Sequence, residues 1–428
     1  MEPSKTLSDV GTRPRLRVVA APRKSRRTLP NSVAYALAAS VIGLGLFASI
    51  TPSSLYHSYI LLWHFSPLTL TLVYATYMFG VLASLLLVGR ASDDVGRRPV
   101  LLAALGVLML STILFMLADS VAWLFVARGL QGLATGAAVS AASAALLDLH
   151  PRHDPAGVGL ANGVASAGGI GLGALVSSSV VQLGSAPRVL PYVVLLVLFA
   201  LAFAGAYWMP EPVAERGRFR LTAERPSVPR VARRPFFLAG LAVVSSWSIG
   251  GLFFSLGPGL STHLFNTTNV VVSAIGIVAL GASAAVSQLL LGRSAPWIGA
   301  SAGSIALAAG MVLIVIAAAT ESSTTYLIGS ILGGGGFGIA FLGGLRSLVA
   351  AIPPHQRAAV LSAFYVVAYL FGSVPAVLAG LVVSHLGLQS TFEIFGSVVA
   401  GIALVVAFEA WRTRPTRRTA LRAVSAPS

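Results

Sequence analysis

The chain has 428 residues, of which 56% are hydrophobic and only 10% are charged. Soluble domains carry about 25% charged residues, and a soluble chain of this composition would have to bury more apolar surface than one or two cores can hold. The composition therefore excludes an ordinary soluble protein and predicts an all-α integral membrane protein. The formal net charge of +16 is concentrated in a few segments, so it is poor evidence for nucleic-acid binding, and we expect no nucleic-acid partner.

Three basic segments divide the apolar sequence into two parts of similar length. They are a head at 1–31, a connector at 209–235 and a tail at 412–428. The apolar remainder, 32–208 and 236–411, is long enough for about twelve crossings at 25–30 residues per span and turn. Its runs are unbroken rather than alternating, which argues against a β-barrel. The head is too long and too polar before the first apolar run to be a secretory signal peptide.

Apolar runs separated by turn residues predict twelve spans in chain order. The predicted starts are near Ser32, Leu68, Pro99, Val121, Val158, Val189, Phe236, Val270, Ala300, Thr325, Val360 and Phe392. With these spans, 26 of the 29 basic residues fall on one side of the membrane, and only Arg188 falls on the other. The positive-inside rule then predicts cytoplasmic N- and C-termini in a multi-pass protein of the plasma (inner) membrane.

The two parts repeat each other at an offset of 203 residues. Gly89, Arg90 and Gly96 correspond to Gly292, Arg293 and Gly299. Gly132, Pro151 and Gly169 correspond to Gly335, Pro354 and Gly372. These coincidences at one offset predict two pseudo-symmetric six-helix bundles with a cavity between them, opened to alternate sides by rocking.

The most specific motif lies at the cytoplasmic turn between the second and third predicted spans, in residues 89–101. It resembles the loop signature of the major facilitator superfamily, G-x-L-x-D-R-x-G-R-[RK]-x-x-L. The matching positions are Gly89, Asp93, Gly96, Arg97, Arg98 and Leu101. Ala91 replaces the usual leucine, and Asp94 replaces the usual arginine. The alternative interpretation is a merely solvated turn.

The resemblance covers 32–411 and implies the twelve-helix fold of that superfamily. It also implies that Asp93 meets the start of the eleventh helix, near 358–360, and latches the halves in the outward-facing state. The same resemblance makes the loop residues Gly89, Gly96, Arg97 and Arg98 parts of this conformational latch.

A second element, Arg128 followed by Gly132 in the fourth span, is similar to the R-x-x-x-G element of the family. An arginine at that depth costs several kcal/mol unless it faces water or polar partners. It is therefore a candidate for substrate contact or proton coupling, and the alternative is a structural arginine bonded to carbonyls or to Gln131. The acids lie near span ends, so Glu393 is the preferred proton carrier if protons are coupled at all.

Small residues predict close helix packing in the fifth and eleventh spans. Gly169 and Gly173 belong to a stretch that looks like the drug/proton antiporter element of the family, but a proline and two glycines of that element are replaced here. Gly372 and Pro375 resemble the kinked helix that often closes the cavity, and neighbouring helices can satisfy the backbone groups that such residues free.

Aromatic and amide side chains inside the spans are candidates for the cavity wall, although simple packing explains each of them equally well. They are Asn162, Trp247, Phe253, Gln288, Tyr365 and Tyr369. The chain contains no cysteine, its histidines lie mainly at turns, and no phosphate-binding loop is present. We therefore expect no metal, no cofactor and no enzymatic activity.

The sequence thus predicts a secondary transporter, most simply an exporter of an amphipathic small molecule. Proton-linked uptake of a sugar or organic solute and a non-transporting membrane sensor are the alternatives. We expect a monomer whose partners are the substrate and the lipid bilayer, with protons as a candidate coupling ion.

Overall fold

A computed structural model describes residues 28–89, 91–213, 226–353 and 356–413 of the chain. Most of the predicted basic head, the centre of the connector, Arg90 of the loop motif, Pro354 of the repeat and the tail from residue 414 lie outside the described residues. Within the described ranges every regular element is a helix, and no strand occurs.

The described part of the N-terminal half contains eight α-helices. They are α1 (Asn31–Ile50), α2 (Tyr56–Trp63), α3 (Pro67–Val88), α4 (Ala91–Val95), α5 (Arg97–Met116), α6 (Val121–Leu149), α7 (Pro155–Leu183) and α8 (Leu190–Tyr207). A 3₁₀ turn, Thr51–Leu55, joins α1 to α2, so these elements form one apolar span, Asn31–Trp63.

The C-terminal half contains six α-helices among the described residues. They are α9 (Arg233–Leu264), α10 (Val270–Ser273), α11 (Ile275–Leu291), α12 (Pro296–Thr320), α13 (Ser323–Ala350) and α14 (Arg357–Arg412). The backbone of α14 is interrupted at Gly387, where φ is 81° and ψ is 171°. Because only glycine adopts this conformation readily, one residue separates α14a (357–386) from α14b (388–412).

Ten helical segments of the described chain are long and apolar enough to cross a membrane. One of them contains 54 residues, which at 1.5 Å per residue is more than twice the bilayer core. Counting α14a and α14b separately and adding the shorter apolar helix α11, the helices are consistent with the twelve predicted crossings.

Capping side chains begin several helices where the sequence predicts turns. Asp154 accepts hydrogen bonds from the backbone N–H groups of Ala156 and Gly157, both at 3.0 Å. Ser66 accepts one from Thr69 N at 3.2 Å. These caps satisfy N–H groups that have no partner inside the helix, which favours short turns and antiparallel neighbours.

The apolar core is divided differently at the two membrane faces. We call the face where α1 begins and α14 ends the terminal face, and the other the opposite face. Near the terminal face each half has its own cluster, represented by Leu105 and Phe199 in one half and by Val243 and Phe364 in the other. Towards the opposite face a single cluster contains residues of both halves. The apolar cores of the halves are therefore joined at the opposite face and separate near the terminal face, although α7 still contacts the end of α11 there.

Candidate functional site

A cavity of about 380 Å³ lies between the two halves. Its wall is built from α1, α3, α6 and α7 of the N-terminal half and from α9, α11, α13 and α14a of the C-terminal half. On α6 and α13 the lining residues all lie in the half nearer the terminal face, and on α7 they extend from Gly159 near that face to Ile170 at the middle of the helix. Among the described residues that line it, none is charged.

Contacts between the halves close the end of this cavity towards the opposite face. Ser53 Oγ donates a hydrogen bond to the Phe254 carbonyl at 2.8 Å, and Val270 N donates one to Gln182 Oε1 at 2.8 Å. At Gly171 the backbones of α7 and α11 approach so closely that a Cβ would lie 3.1 Å from Ala282 N. The cavity is therefore open to the terminal face.

One side of the cavity is aromatic. The Trp247 ring lies edge-on to Tyr369, with ring centroids 4.7 Å apart, and is tilted against Phe341 at 6.0 Å. Tyr74 and Tyr77 of α3 face the same space from the other half. Sequence reasoning missed these two tyrosines, because their three-residue spacing on an apolar helix does not say which face meets the cavity.

The other side carries amides and hydroxyls. Asn162 Nδ2 donates to Ser143 Oγ at 2.6 Å, and Gln288 Nε2 donates to the Gly338 carbonyl at 3.1 Å. The Gln288 Oε1 and Tyr74 hydroxyl oxygens are buried without a hydrogen-bond partner among the described residues. Buried polar groups normally find partners, so these two oxygens are unsatisfied in the described conformation, although neither is exposed to the cavity.

Five of the six cavity candidates from the sequence lie on this wall. They are Asn162, Trp247, Gln288, Tyr365 and Tyr369. Phe253 does not; it is fully buried and stacks on Tyr326 with ring centroids 6.0 Å apart. Since adjacent helical residues point about 100° apart, the neighbouring Phe254 lines the cavity instead.

Arg128 lies behind the cavity wall and is fully buried. One guanidinium nitrogen donates to the Ser49 carbonyl and to Gln131 Oε1, each at 2.8 Å, and the other donates to the Tyr56 hydroxyl. Its carbon Cζ lies 5.5 Å from the Tyr77 ring centroid and 5.9 Å from that of Phe115. A carbonyl and Gln131 are the partners expected if Arg128 has a structural role. The guanidinium group does not line the cavity.

The neighbours of Arg128 in its motif fix α6 against α1 and α3. Gln131 Nε2 donates to the Ala48 carbonyl at 3.0 Å. A Cβ on Gly132 would lie 3.1 Å from the Cα of Gly80, so glycine permits close contact between α6 and α3.

The loop motif forms an ionic network within the N-terminal half. Arg97 pairs with Asp93 of α4 and, through Nε at 2.9 Å, with Asp148 at the end of α6. Its side chain is 12% exposed, whereas that of Asp93 is 59% exposed. Gly89 ends α3 just before this network, and Arg98 lies over the Tyr207 ring at 5.2 Å.

Glu211, which the sequence analysis did not single out, caps the N-terminus of α5. Its carboxylate accepts hydrogen bonds from Arg97 N at 3.0 Å and Arg98 N at 3.1 Å. Gly96 permits this approach, because its φ is 112° and a Cβ there would lie 2.6 Å from a Glu211 oxygen. The sequence alone does not indicate this cap, because Gly96 and Glu211 are more than a hundred residues apart and no motif connects them.

The predicted packing glycines lie at close helix contacts. A Cβ on Gly169 would lie 2.8 Å from the Gly43 carbonyl carbon, and one on Gly173 would lie 2.8 Å from the Cα of Phe47. A Cβ on Gly372 would lie 3.2 Å from the Trp247 ring, so this glycine leaves room for a cavity side chain. Pro375 lies inside α14a, which continues through it.

The structure places Glu393, the proton carrier preferred from the sequence, outside the cavity wall. It is in α14b, its Oε1 accepts a hydrogen bond from Gln389 Nε2 at 3.1 Å, and it is not part of the cavity wall. The sequence could not show this, because a position near a span end does not specify which face of the helix carries it. Within the described ranges no three His, Asp or Glu side chains are grouped as a metal site requires.

Comparisons with known proteins agree with this architecture. The sequence profile of the Major Facilitator Superfamily matches residues 32–374, whereas a search of curated proteins gives no match. Among solved structures, the human organic anion transporter MFSD10 (TETRAN) has a similar fold, with a TM-score of 0.64 and 18% identity over 89% of this chain and all of that one. Identity at this level shows a shared fold and says nothing about substrate. Because the family profile matches most of the sequence, the chain belongs to the Major Facilitator Superfamily.

Proposed function

We propose that the chain exports an amphipathic small molecule across the plasma (inner) membrane by alternating access. The observation that carries this proposal is the cavity between the halves, with aromatic rings on one side and uncharged amides and hydroxyls on the other. Apolar pockets with a few well-placed polar groups suit ligands of mixed character. A sugar site would need a denser set of hydrogen-bonding groups, so uptake of a sugar has less support.

The charge distribution supports a cytoplasmic location for the terminal face, since 26 of 29 basic residues belong to segments on that side. The described conformation is then the inward-facing one, ready to receive a substrate from the cytoplasm. In this proposal 32–208 and 236–411 are the moving bundles, and 209–235 is the cytoplasmic connector.

The absence of cysteine from the chain makes this orientation simple to test. A cysteine introduced at Arg225 should react with a membrane-impermeant maleimide only after the cells are opened. One introduced at Ser185, in the turn between α7 and α8, should react in intact cells. Labelling of the Arg225 position from outside would contradict the proposed topology.

Transport itself is tested with the purified protein in proteoliposomes and a panel of amphipathic compounds. Tyr369→Ala removes a ring from the cavity wall, whereas Phe371→Ala removes one of similar size from the same helix at a position that is 41% exposed and away from the cavity. We expect Tyr369→Ala to alter the rate or the substrate preference at least fivefold and Phe371→Ala to change neither. Equal effects of both variants, or no transport of any compound, would contradict the proposal.

The cavity wall favours exchange or facilitated diffusion over proton coupling. A proton-coupled carrier normally holds a carboxylate where burial raises its affinity for protons, and no acid of the described chain lines the cavity. An imposed pH gradient should therefore leave the transport rate unchanged. Stimulation by the gradient that disappears in Glu393→Gln would restore the sequence-based prediction for Glu393.

A further inference from the structure

The charge of Arg128 has no acidic partner in the described structure. Its hydrogen bonds go to a carbonyl, an amide oxygen and a hydroxyl, and its Nε has no acceptor. Arginine stays protonated in proteins, so the full charge persists in a region of low dielectric. Asp119 precedes it by nine positions in sequence, about 13 Å along a helical axis, and is exposed. The positive charge is therefore uncompensated locally.

This charge is separated from the cavity by a single layer of side chains. The Tyr77 ring, whose centroid is 5.5 Å from the guanidinium carbon, also lines the cavity, as does Ser49. A group resting on the cavity side of that ring would be about 9 Å from the charge, because non-bonded carbons approach to about 3.5–4 Å. Since the wall itself is uncharged, no protein group on it opposes the field of Arg128.

We propose that Arg128 is a specificity-determining residue that selects, through the cavity wall, amphipathic substrates with a single negative charge. The inference rests on the proposed transport function and names the substrate class of the same cavity. At about 9 Å and an effective dielectric constant of about 20, one negative charge should favour binding by roughly tenfold or somewhat more over a neutral molecule of the same shape. A cation of that shape should be disfavoured to a similar extent.

A purely structural arginine would behave differently. Removing it would loosen the contacts of α6 with α1 and would weaken all ligands together, because the damage is to the shape of the site. Removing an electrostatic selector changes the ratio between ligands of different charge, even where overall affinity falls. The ratio is therefore the informative measurement.

Three probes share a naphthalene body and differ in charge: 2-naphthalenesulfonate, 2-naphthalenesulfonamide and a 2-naphthyltrimethylammonium salt. Binding to the purified full-length protein in nanodiscs is measured by calorimetry at neutral pH. We expect the sulfonate to bind about tenfold more tightly than the sulfonamide, and the ammonium salt to bind most weakly. Arg128→Lys should keep this order, and Arg128→Gln should bring the sulfonate and sulfonamide within about twofold of each other.

Arg346→Gln is the matched control, because it removes the other in-span arginine, which donates to loop carbonyls and is not part of this cavity wall. The ratio of its affinities for the sulfonate and the sulfonamide should equal that of the unmodified protein. Equal affinities for sulfonate and sulfonamide in the unmodified protein would overturn the inference and leave the transport proposal standing, even if the variants fail to fold. A preference that persists in Arg128→Gln would also overturn it. Failure of all three probes to bind would overturn the amphipathic cavity as well.

Discussion

The two halves of the chain stabilise corresponding loops by different chemistry. In the N-terminal half, Arg97 joins two carboxylates, those of Asp93 and Asp148. At the offset of 203 residues these three positions are occupied by Ala300, Pro296 and Ala351. The C-terminal loop is instead held by Arg346 of α13, which donates to the carbonyls of Gly292 and Ser294.

This difference shows that the carboxylate network of the N-terminal loop has no counterpart in the other copy, although an arginine, Arg90 or Arg293, is common to both. The exposed carboxylate of Asp93 can change its ion-pair partner if the halves move relative to each other. The guanidinium of Arg346 is bonded to backbone carbonyls of its own half, so its contacts should stay the same. We expect the N-terminal loop to affect transport and the C-terminal loop to affect only local stability.

The largest effect is expected for Arg97→Ala. This change removes the common partner of two carboxylates and leaves the partly buried Asp148 unpaired, which is costly for a charge. Transport should fall at least tenfold at equal protein abundance in the membrane. Initial rates in proteoliposomes measure this, and a rate within twofold of normal would show that the network does not contribute to the cycle.

A smaller decrease in the transport rate, about fivefold, is expected for Asp93→Asn. The latch prediction assigns Asp93 to closure of the terminal face, so its loss should favour the state described here. A cysteine introduced at Leu345, on the cavity wall, should then react faster with a reagent added from that face. Asp94→Asn is the control with the neighbouring acid. If Asp94→Asn has the larger effect, the motif was assigned to the wrong carboxylate.

The corresponding glycines, Gly96 before α5 and Gly299 in the first turn of α12, should respond unequally to alanine. Gly96→Ala forces a side chain into a glycine-only conformation and against Glu211, and should destabilise the protein by about 1–3 kcal/mol. Gly299 has ordinary backbone geometry, and a Cβ there would lie 3.3 Å from an Ile339 methyl group, so Gly299→Ala should cost less than about 1 kcal/mol. Thermal unfolding of the two variants in nanodiscs tests this, and equal shifts would contradict it.

The smallest effect is expected for Arg346→Gln. Two hydrogen bonds to carbonyls are lost at the edge of the C-terminal half, but no charge is left unpaired, so transport should change less than twofold. A loss comparable to that of Arg97→Ala would mean that both loops take part in switching, and would remove the distinction between the halves.

The sequence predicted the class of fold because apolar length and charge asymmetry are local properties. Each predicted span begins within a few residues of the start of a described helix, from Ser32 at the start of α1 to Phe392 near the start of α14b. Contacts between helices that are distant in sequence could not be predicted from these local properties. Which face of α9 meets the cavity decides between Phe253 and Phe254, and residues 249–254 include no polar side chain that would mark one face of the helix.

The candidate site shows even more clearly that sequence reasoning identifies residue types but not their neighbours in the fold. Asn162 and Gln288 could be nominated because amides in apolar spans need partners. Tyr74, Tyr77 and the capping role of Glu211 depend on which helices become neighbours, which is set by packing over more than a hundred residues. The role of Glu393 as a proton carrier stays a prediction, since its position near a span end says nothing about the direction in which its side chain points.

The unequal division of the core between the two faces has a thermodynamic consequence. Opening at the terminal face uncovers a wall that includes Ser140, Ser143 and Ser166, whereas opening at the opposite face must split a continuous apolar cluster. Exposure of apolar surface raises the heat capacity and becomes less favourable on warming from low temperature. In the proposed alternating-access cycle we therefore expect the equilibrium between the two openings to depend on temperature, with warmth favouring the conformation described here and cold favouring the other.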